Sequence, residues 1–289
     1  MSTSVRLASS PDEAAHDDDL HAALGQLRHR FGAAVAGCPD GPEPVAAIST
    51  GNHALNLAIG VGGVPRGRIT EVYGPDGTGK TTLALSVIAQ AQQSSGTACF
   101  IDTEHALDLG WAERVGVDLE RLVLCRPECG EQALQVADVL VRSGALDVLV
   151  IDSIAALVPK AELDGEMGQR HAGVQANLLS QAFRKLAGPI ARASTAVVVT
   201  NQLRQRAGTP GMPVYTSGGR ALGYYASLRL DLRLMEHLKD GGQVIGSRIR
   251  VQITKNKLSP AWQVAELHVL SDQGVVPAAD SGQIRGDAA

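Results

Sequence analysis

The stretch Ile69-Thr-Glu-Val-Tyr-Gly-Pro-Asp-Gly-Thr-Gly-Lys-Thr-Thr82 decides the fold of this 289-residue chain. It begins as a run of strand-forming residues and continues as a helical pattern from Gly79, so a glycine-rich turn joins a strand directly to a helix. The spacing Gly74-x4-Gly79-Lys80-Thr81 matches the Walker A phosphate-binding pattern, and the strand and helix on either side are the context that this pattern requires. The sequence therefore predicts a P-loop fold.

The residues of this turn suit the chemistry of a phosphate chain. Glycines let backbone N–H groups surround phosphate oxygens, and the N-terminus of the following helix adds positive potential. Lys80 can reach the terminal phosphates, and Thr81 offers a hydroxyl group to Mg²⁺. We therefore expect ATP and Mg²⁺ as cofactors. The predicted nucleotide-binding residues of the turn are Gly74, Pro75, Asp76, Gly77, Thr78, Gly79, Lys80, Thr81 and Thr82.

After Pro44, short strand-type runs alternate with longer helical ones, which predicts parallel strands with right-handed crossovers. Aromatic residues make up only 3% of the chain, which favours a core of Val, Leu, Ile and Ala, as in buried parallel strands. Three later runs, at 226–234, 248–254 and 264–270, have no helix between them and suggest antiparallel strands. The expected fold class is α/β, with a mostly parallel twisted sheet flanked by helices and antiparallel strands at the C-terminal side.

Composition predicts four segments along the chain. Residues 1–19 are rich in Ser, Ala and Asp, so we expect a disordered acidic leader. In residues 20–44, apolar side chains recur at helical spacing before a Gly- and Pro-rich stretch, which predicts an amphipathic helix and a linker. We assign this helix to oligomerisation, although packing on the chain's own core fits the pattern as well. Residues 45–276 are expected to form an ATPase core and residues 277–289 a flexible tail.

Charge and hydropathy restrict the function classes. Lys and Arg total 26 against 30 Asp and Glu, a formal net charge of -4, so any DNA binding must come from a local basic surface. Four cysteines lack zinc-site spacing, which favours free thiols. No run approaches the ~20 apolar residues of a membrane span, and no apolar signal segment is present at the N-terminus. We expect a cytoplasmic protein without membrane contacts.

Two other predicted strands end in carboxylates. The buried run from Leu146 ends at Asp152, which fits the Walker B role of holding the Mg²⁺ hydration shell. The run from Ala98 ends close to Glu104, which would lie beside the phosphate site in a doubly wound sheet and could activate the attacking water. A lone carboxylate at a strand end is more often structural, so that alternative stays open for Glu104, whereas the preceding Walker A pattern favours the Walker B role for Asp152.

Several segments agree in order and spacing with the bacterial RecA recombinase family, and the chain resembles this family from about Leu20 to Val275. A match at one motif would indicate only a P-loop ATPase, whereas eight in register indicate this family. The segments are Ile48-Ser-Thr-Gly51, Gly62-Gly-Val-Pro-Arg-Gly-Arg-Ile69, Tyr73-Gly-Pro-Asp-Gly-Thr-Gly-Lys-Thr-Thr82, Phe100-Ile-Asp-Thr-Glu-His-Ala-Leu-Asp108, Asp152-Ser-Ile-Ala-Ala-Leu-Val-Pro-Lys-Ala-Glu162, Ser180-Gln-Ala-Phe-Arg-Lys-Leu-Ala187, Thr200-Asn-Gln202 and Lys255-Asn-Lys257.

The resemblance implies a role for each matching catalytic position. Glu104 would be the general base of ATP hydrolysis, acting with Lys80 of the Walker A loop. Gln202 would couple the terminal phosphate to the DNA loop that follows it. Lys255 and Lys257 would reach the ATP of a neighbouring subunit and stabilise negative charge there, much as an arginine finger does.

Nucleotide and metal contacts also follow from the resemblance. Asp108 and Trp111 match the positions at which the family contacts adenine, and an indole face suits base stacking. Thr81 and Asp152 would hold the metal ion.

Two loops would face DNA, at Glu162–Gly173 and Leu203–Gly219. Arginine side chains and backbone N–H groups there would contact phosphates, which gives sequence-independent and salt-sensitive binding. The implied DNA-binding residues are Arg184, Arg204, Arg206, Gly218, Gly219 and Arg220.

The family resemblance implies an ATP-dependent DNA recombinase, a DNA-dependent ATPase that forms a homo-oligomeric helical filament on single-stranded DNA. It would pair that strand with homologous duplex DNA during repair and the SOS response, with a LexA-type repressor as a further partner. The larger C-terminal domain usual in the family is absent from these 289 residues, and Gly223 stands where the family has a lysine. A regulatory RecA paralogue that modulates another recombinase's filament, without strand exchange of its own, is therefore the alternative.

Overall fold

The computed structural model describes residues 11–32, 44–169, 171, 173–204 and 215–276, with backbone alone for residues 11–17, 204 and 215. The chain divides into two compact units, Met1–Pro44 and Val45–Ala289. Parts of the predicted leader (1–10) and linker (33–43), and the whole predicted tail (277–289), lie outside the described residues.

The first unit contains helix α1, Pro11–Phe31. This helix begins nine residues before the predicted start at Leu20. Proline suits the first position of a helix, because its missing N–H group would have no acceptor within the helix there. Leu20, Leu27 and Phe31 of its apolar stripe are exposed.

The second unit alternates strands and helices as predicted. Its helices are α2 His53–Ile59, α3 Lys80–Gln93, α4 Leu109–Arg114, α5 Gly130–Arg142, α6 Lys160–Leu163, α7 Val174–Ala193 and α8 Ala221–Tyr225. Its strands are β1 Ala47–Ile48, β2 Val64–Pro65, β3 Ile69–Gly74, β4 Ala98–Asp102, β5 Leu122–Cys125, β6 Val148–Asp152, β7 Ala196–Arg204, β8 Tyr215–Thr216, β9 Leu228–Asp240, β10 Gln243–Asn256, β11 Val264–Leu270 and β12 Gly274–Val276.

One large sheet organises this unit, with the strand order β12-β11-β10-β9-β3-β7-β6-β4-β5. Strands β3, β7, β6, β4 and β5 run parallel to their neighbours in this order. Strand β9 has neighbours of both kinds, because it runs parallel to β3 and antiparallel to β10. Strands β10, β11 and β12 continue as the antiparallel extension. The predicted α/β fold is confirmed.

Helices cover both faces of the parallel strands, which explains why those strands are apolar throughout. Helix α3 packs with one face of the sheet, where Leu83, Leu85 and Ile88 are fully buried. Helices α5 and α7 pack on the other face, through residues such as Leu179 and Phe183. In the described part of the chain, no helix has the length and apolar character needed to cross a bilayer.

Candidate nucleotide and DNA site

Four predicted site segments lie along one edge of the sheet. Parallel strands bring their carboxyl ends to the same edge, and β3, β7, β6 and β4 are consecutive neighbours. Gly74 at the end of β3 is paired with Gln202 of β7, and Asp152 at the end of β6 is paired with Asp102 of β4. The Walker A loop, Gln202, Asp152 and the segment after Asp102 therefore share this edge.

The Walker A loop folds closely around the start of α3. A Cβ atom added to Gly74 would lie 2.4 Å from the carbonyl oxygen of Leu232, so a side chain has no room there. Gly79 precedes the helix with φ +75°, a backbone conformation that favours glycine. The Nζ atom of Lys80 donates to the carbonyl oxygens of Gly74 at 3.2 Å and Pro75 at 2.7 Å. Burial lowers the pKa of Lys80, and the carboxylates nearby oppose that effect.

Asp152 joins the Walker A helix to the centre of the sheet. Its Oδ2 atom accepts a 2.6 Å hydrogen bond from the Thr81 hydroxyl, and its Oδ1 atom accepts one from the Thr200 hydroxyl. Burial raises the pKa of Asp152, whereas these two hydrogen bonds and the charge of Lys80 act in the opposite direction. The hydroxyl and carboxylate oxygens are the kind of ligands that Mg²⁺ takes. The residues present thus fit a bound Mg²⁺ ion. Thr200 lies inside a matched segment, but no role was assigned to it from the sequence.

Glu104 is exposed, but both it and the residue before it are held against the end of β6. Its Oε1 atom accepts a 2.5 Å hydrogen bond from the Ser153 hydroxyl. The Thr103 amide donates to the carbonyl oxygen of Asp152 at 2.9 Å, and the Thr103 hydroxyl donates to that of Ser153 at 2.8 Å. Glu104 is therefore hydrogen-bonded to the residue that directly follows Asp152. Ser153 lies inside a matched motif, yet no role was assigned to it.

The neighbouring carboxylate, Asp102, has a structural role. It is buried and accepts hydrogen bonds from the backbone amides of Ala106 and Leu107, both at 3.2 Å. The Nε atom of Arg126 lies 3.5 Å from its Oδ2 atom. Asp102 thereby closes the turn that carries Glu104.

A pocket of about 300 Å³ opens beside the Walker A loop. Part of its wall comes from Gly77–Thr82, and the rest comes from Ser247, Ile249 and Val269 on β10 and β11. Sequence reasoning missed these three residues, because no motif marks them. A Cβ atom on Gly79 would lie 2.9 Å from the Ile249 Cδ1 atom, so the antiparallel extension approaches the phosphate loop closely.

The two predicted adenine contacts lie at the start of α4. The carboxylate of Asp108 caps this helix and accepts from the Trp111 amide at 3.0 Å. The indole Nε1 atom of Trp111 donates to the Thr82 hydroxyl at 3.2 Å, which places the ring beside the Walker A helix. The guanidinium group of Arg114 lies over the indole, 5.4 Å from the ring centroid.

Lys255 and Lys257 are not brought to the Walker A loop of their own chain. Lys255 is paired with Arg229 of β9, which is in turn paired with Glu71 in the middle of β3. Lys257 lies nearer the amino end of β3, because its amide donates to the carbonyl oxygen of Ser227, whose amide donates to that of Ile69. The Walker A loop leaves β3 at its carboxyl end. The Nζ atom of Lys255 donates to the carbonyl oxygens of Gly223 at 2.6 Å and Tyr224 at 3.2 Å, and that of Lys257 donates to Tyr224 at 3.3 Å.

The predicted DNA-facing residues lie near α7 and α8. Arg184 and Arg220 are exposed. Gly218 and Gly219 pack closely against α7, since added Cβ atoms would lie 2.4 Å from the Leu179 Cδ1 atom and 3.0 Å from the Ala176 Cβ atom. The backbone of Arg204 belongs to β7, but its side chain is outside the described part, as is Arg206 altogether.

A cleft of about 260 Å³ separates the stems of the two loops. Glu162 and Gln175 line it from the side of the first loop, and Ser217 and Gly218 from the side of the second. The side-chain amide of Gln175 donates to the carbonyl oxygens of Ile154 at 3.0 Å and Leu157 at 2.8 Å. The start of α7, just after the first loop, is thereby attached to the segment after Asp152.

Comparison with known proteins identifies the family. Residues 18–276 match the family model described as the RecA N-terminal domain. The chain is similar to Protein RecA of Amycolatopsis mediterranei, with 49% identity over 272 residues, or 93% of this chain and 77% of that protein. It is 51% identical to Protein RecA of Streptomyces venezuelae over 89% of this chain and 68% of the relative. Protein RecA of Thioalkalivibrio sulfidiphilus is also 51% identical, over 89% of this chain and 76% of that protein. This chain belongs to the RecA family.

Proposed function

We propose that this chain is an ATP- and Mg²⁺-dependent DNA recombinase that assembles into a helical filament on single-stranded DNA and pairs it with homologous duplex DNA in repair. The observation that carries the proposal is the pairing of Gln202 with Gly74. Gln202 lies beside the phosphate loop, and the second DNA loop begins at the next residue. A change at the terminal phosphate of ATP therefore has a short route to the DNA-binding surface.

The carboxyl edge of the sheet supports ATP binding and hydrolysis. Phosphate oxygens would replace the carbonyl oxygens that Lys80 now contacts, and Thr81 with Asp152 would hold the Mg²⁺ ion that neutralises phosphate charge. Asp108 and Trp111 would contact the adenine. Glu104, fixed by its hydrogen bond from Ser153, would accept the proton of the attacking water.

The exposed arginines supply the local basic surface that the net charge of -4 does not reveal. Arg184 is exposed on α7 and Arg220 is exposed just after the second loop, and Arg204 and Arg206 belong to the second loop. Contacts from these residues to the DNA backbone would give sequence-independent binding that weakens as salt concentration rises.

Completion of the ATP site would require a second subunit. Lys255 and Lys257 lie toward the amino end of β3, away from their own Walker A loop, which supports a role on the ATP of a neighbour in the filament. Helix α1, with its exposed apolar stripe, would pack on another subunit. A bacterial chromosome as substrate implies a cytoplasmic protein, and a LexA-type repressor would be a partner of the assembled filament.

The direct test is an ATPase assay in which single-stranded DNA is titrated at low salt, followed by strand exchange. We expect DNA to stimulate hydrolysis, and an unchanged rate together with no filaments on a non-hydrolysable ATP analogue would contradict the proposal. Glu104→Gln should abolish turnover but keep ATP-dependent DNA binding. Glu113→Gln, an exposed residue on α4, is the matched control and should behave as wild type.

The strand-exchange measurement separates the two candidate functions. A recombinase exchanges strands as the purified protein alone. Binding of ATP and DNA without strand exchange would instead favour a regulatory paralogue that modulates another recombinase's filament.

A further inference from the structure

A fully buried carboxylate, Glu71, lies in the middle of β3. The Walker A loop follows the carboxyl end of this strand, and the lysine pair, Lys255 and Lys257, lies toward its amino end. A buried charge is costly unless it is paired and hydrogen-bonded. Glu71 meets both conditions, because its Oε2 atom accepts a 2.5 Å hydrogen bond from the Nε atom of Arg229 and its Oε1 atom accepts a 2.9 Å hydrogen bond from the side chain of Asn201. Its two oxygens therefore contact different parts of the structure.

The Oε1 side leads to the stem of the second DNA loop. The side-chain amide of Asn201 also donates to the carbonyl oxygen of Ser217 at 3.1 Å, and its Oδ1 atom accepts from the Gln202 amide at 2.9 Å. The Ser217 amide donates to the carbonyl oxygen of Gln202 at 3.2 Å. Both ends of the loop stem are thus fixed to Glu71 through one asparagine.

The Oε2 side leads to the lysine pair. The Arg229 guanidinium lies over the Tyr73 ring, 4.8 Å from its centroid, and a Cβ atom on Gly223 would lie 3.9 Å from the Arg229 Cζ atom. The carbonyl oxygen of Gly223 accepts the 2.6 Å hydrogen bond from Lys255. Arg229 therefore lies beside the short helix α8, and it is also the residue opposite Lys255 in the pairing of β9 with β10.

Charge connects the same residues. Burial lowers the pKa of Lys255, and the neighbouring cations Lys257 and Arg229 lower it further. Among the described groups whose charges act on Lys255, Glu71 is the anion that opposes this shift. The carboxylate thus favours the charged form of Lys255, which is the form able to stabilise phosphate.

We propose that Glu71 is a positioning residue that connects the stem of the second DNA loop to the lysine pair, and so links DNA binding by one subunit to ATP hydrolysis in its neighbour. This inference rests on the proposed function, in which Lys255 and Lys257 act across the subunit interface. It assigns Glu71 no contact with ATP or DNA.

The first test is Glu71→Gln. Glutamine retains an oxygen that can accept from Asn201, but it loses the charge that pairs with Arg229. We expect ATP binding and affinity for single-stranded DNA to stay within about twofold of wild type, while DNA-stimulated ATP turnover falls by tenfold or more. A Glu71→Gln protein with the wild-type stimulated rate would overturn the inference.

A mixing experiment separates positioning from a purely structural role. Glu104→Gln subunits have an inactive site but intact lysines, whereas Glu71→Gln subunits have an intact site but displaced lysines. In mixed filaments the lysines of Glu104→Gln subunits should complete the ATP sites of neighbouring Glu71→Gln subunits. ATP turnover of the mixture should therefore exceed the sum of the rates of the two separate variants. Lys255→Ala mixed with Glu104→Gln is the positive control, and Glu71→Gln mixed with Lys255→Ala should give no restoration.

Failure of Glu71→Gln to regain turnover in the mixture would mean that Glu71 acts within its own subunit, which contradicts the inference. If thermal unfolding shows that Glu71→Gln is misfolded, Arg229→Lys provides the same test, because it keeps a cation but loses the Nε donor and the flat group over Tyr73. Loss of turnover that mixing restores is again the supporting result, and a wild-type rate or an unrestored loss overturns the inference. A wild-type protein without DNA stimulation would instead overturn the proposed function itself.

Discussion

The substitution Gly218→Ala tests whether the docked stem of the second loop determines DNA affinity. Gly218 has φ +81°, and a Cβ atom there would lie 2.4 Å from the Leu179 Cδ1 atom and 3.0 Å from the Ile154 Cγ2 atom. Leu179 and Ile154 are both fully buried, so displacement of either methyl group would disturb the packing around it. Alanine therefore has to move the stem away from α7.

The cost has two parts. A left-handed backbone conformation costs an L-residue about 1–2 kcal/mol, and overpacking of a buried site costs about 1–3 kcal/mol. Together they should destabilise the docked conformation of the stem by about 2–5 kcal/mol. If DNA binding requires that docking, the lower bound corresponds to a loss of affinity of roughly 30-fold, since about 1.4 kcal/mol is tenfold in an equilibrium constant.

The assay is fluorescence anisotropy of a labelled single-stranded oligonucleotide, with a non-hydrolysable ATP analogue at fixed salt. Gly144→Ala is the matched control, because Gly144 also has a positive φ, +69°, but an added Cβ atom would meet nothing within 4 Å. We expect this control to lose about 1–2 kcal/mol of stability, by thermal unfolding, with wild-type DNA affinity. Wild-type DNA affinity in Gly218→Ala, with normal nucleotide binding, would refute the reasoning.

Further predictions concern the nucleotide site and the lysine pair. Thr200→Val removes a hydrogen bond that lowers the pKa of Asp152, so this pKa should rise further. Because activity is lost as the pH falls through the pKa of Asp152, the ATPase activity of the variant should decline at a higher pH than that of the wild type. Lys255 would have to be protonated to stabilise phosphate, so activity should be lost as the pH rises through its lowered pKa. In Glu71→Gln this loss should begin at a lower pH. An unchanged pH profile would contradict the inference that Glu71 favours the charged form of Lys255. Trp111→Phe loses the indole hydrogen bond to the Walker A helix, worth about 1 kcal/mol, and should weaken binding of a fluorescent ATP analogue about fivefold.

Long elements with a clear pattern could be predicted from the sequence. Strand β11 spans 264–270 as predicted, and helix α3 begins at Lys80, one residue after the predicted start of the helical pattern at Gly79. Strand β5 and helix α2 were not predicted, because four and seven residues are too few for a periodic signal to stand out. Strand β5 is also an edge strand, and Val123 within it is exposed, which weakens the apolar pattern further.

The candidate site divides in a similar way. Residues of the Walker A loop are contiguous, so their spacing alone identifies them. Thr200 reaches Asp152 across 48 positions of sequence, and Arg229 reaches Glu71 across 158. A threonine and a glutamate inside strands have no local feature that reveals such partners, because only strand order and register bring them together. Ile249, which lines the pocket beside the Walker A loop, was missed for the same reason.

The Walker A loop and the lysine pair lie at opposite ends of β3, and this separation constrains the assembly of subunits that share ATP sites. If subunits share ATP sites as proposed, each would offer a nucleotide surface on one side and a lysine surface on the other, so the contact would be head-to-tail and not two-fold symmetric. An open assembly then has one fewer complete site than it has subunits. Turnover per subunit should consequently rise with assembly length and approach a plateau, and short oligomers should hydrolyse ATP poorly even when every Walker A loop is occupied.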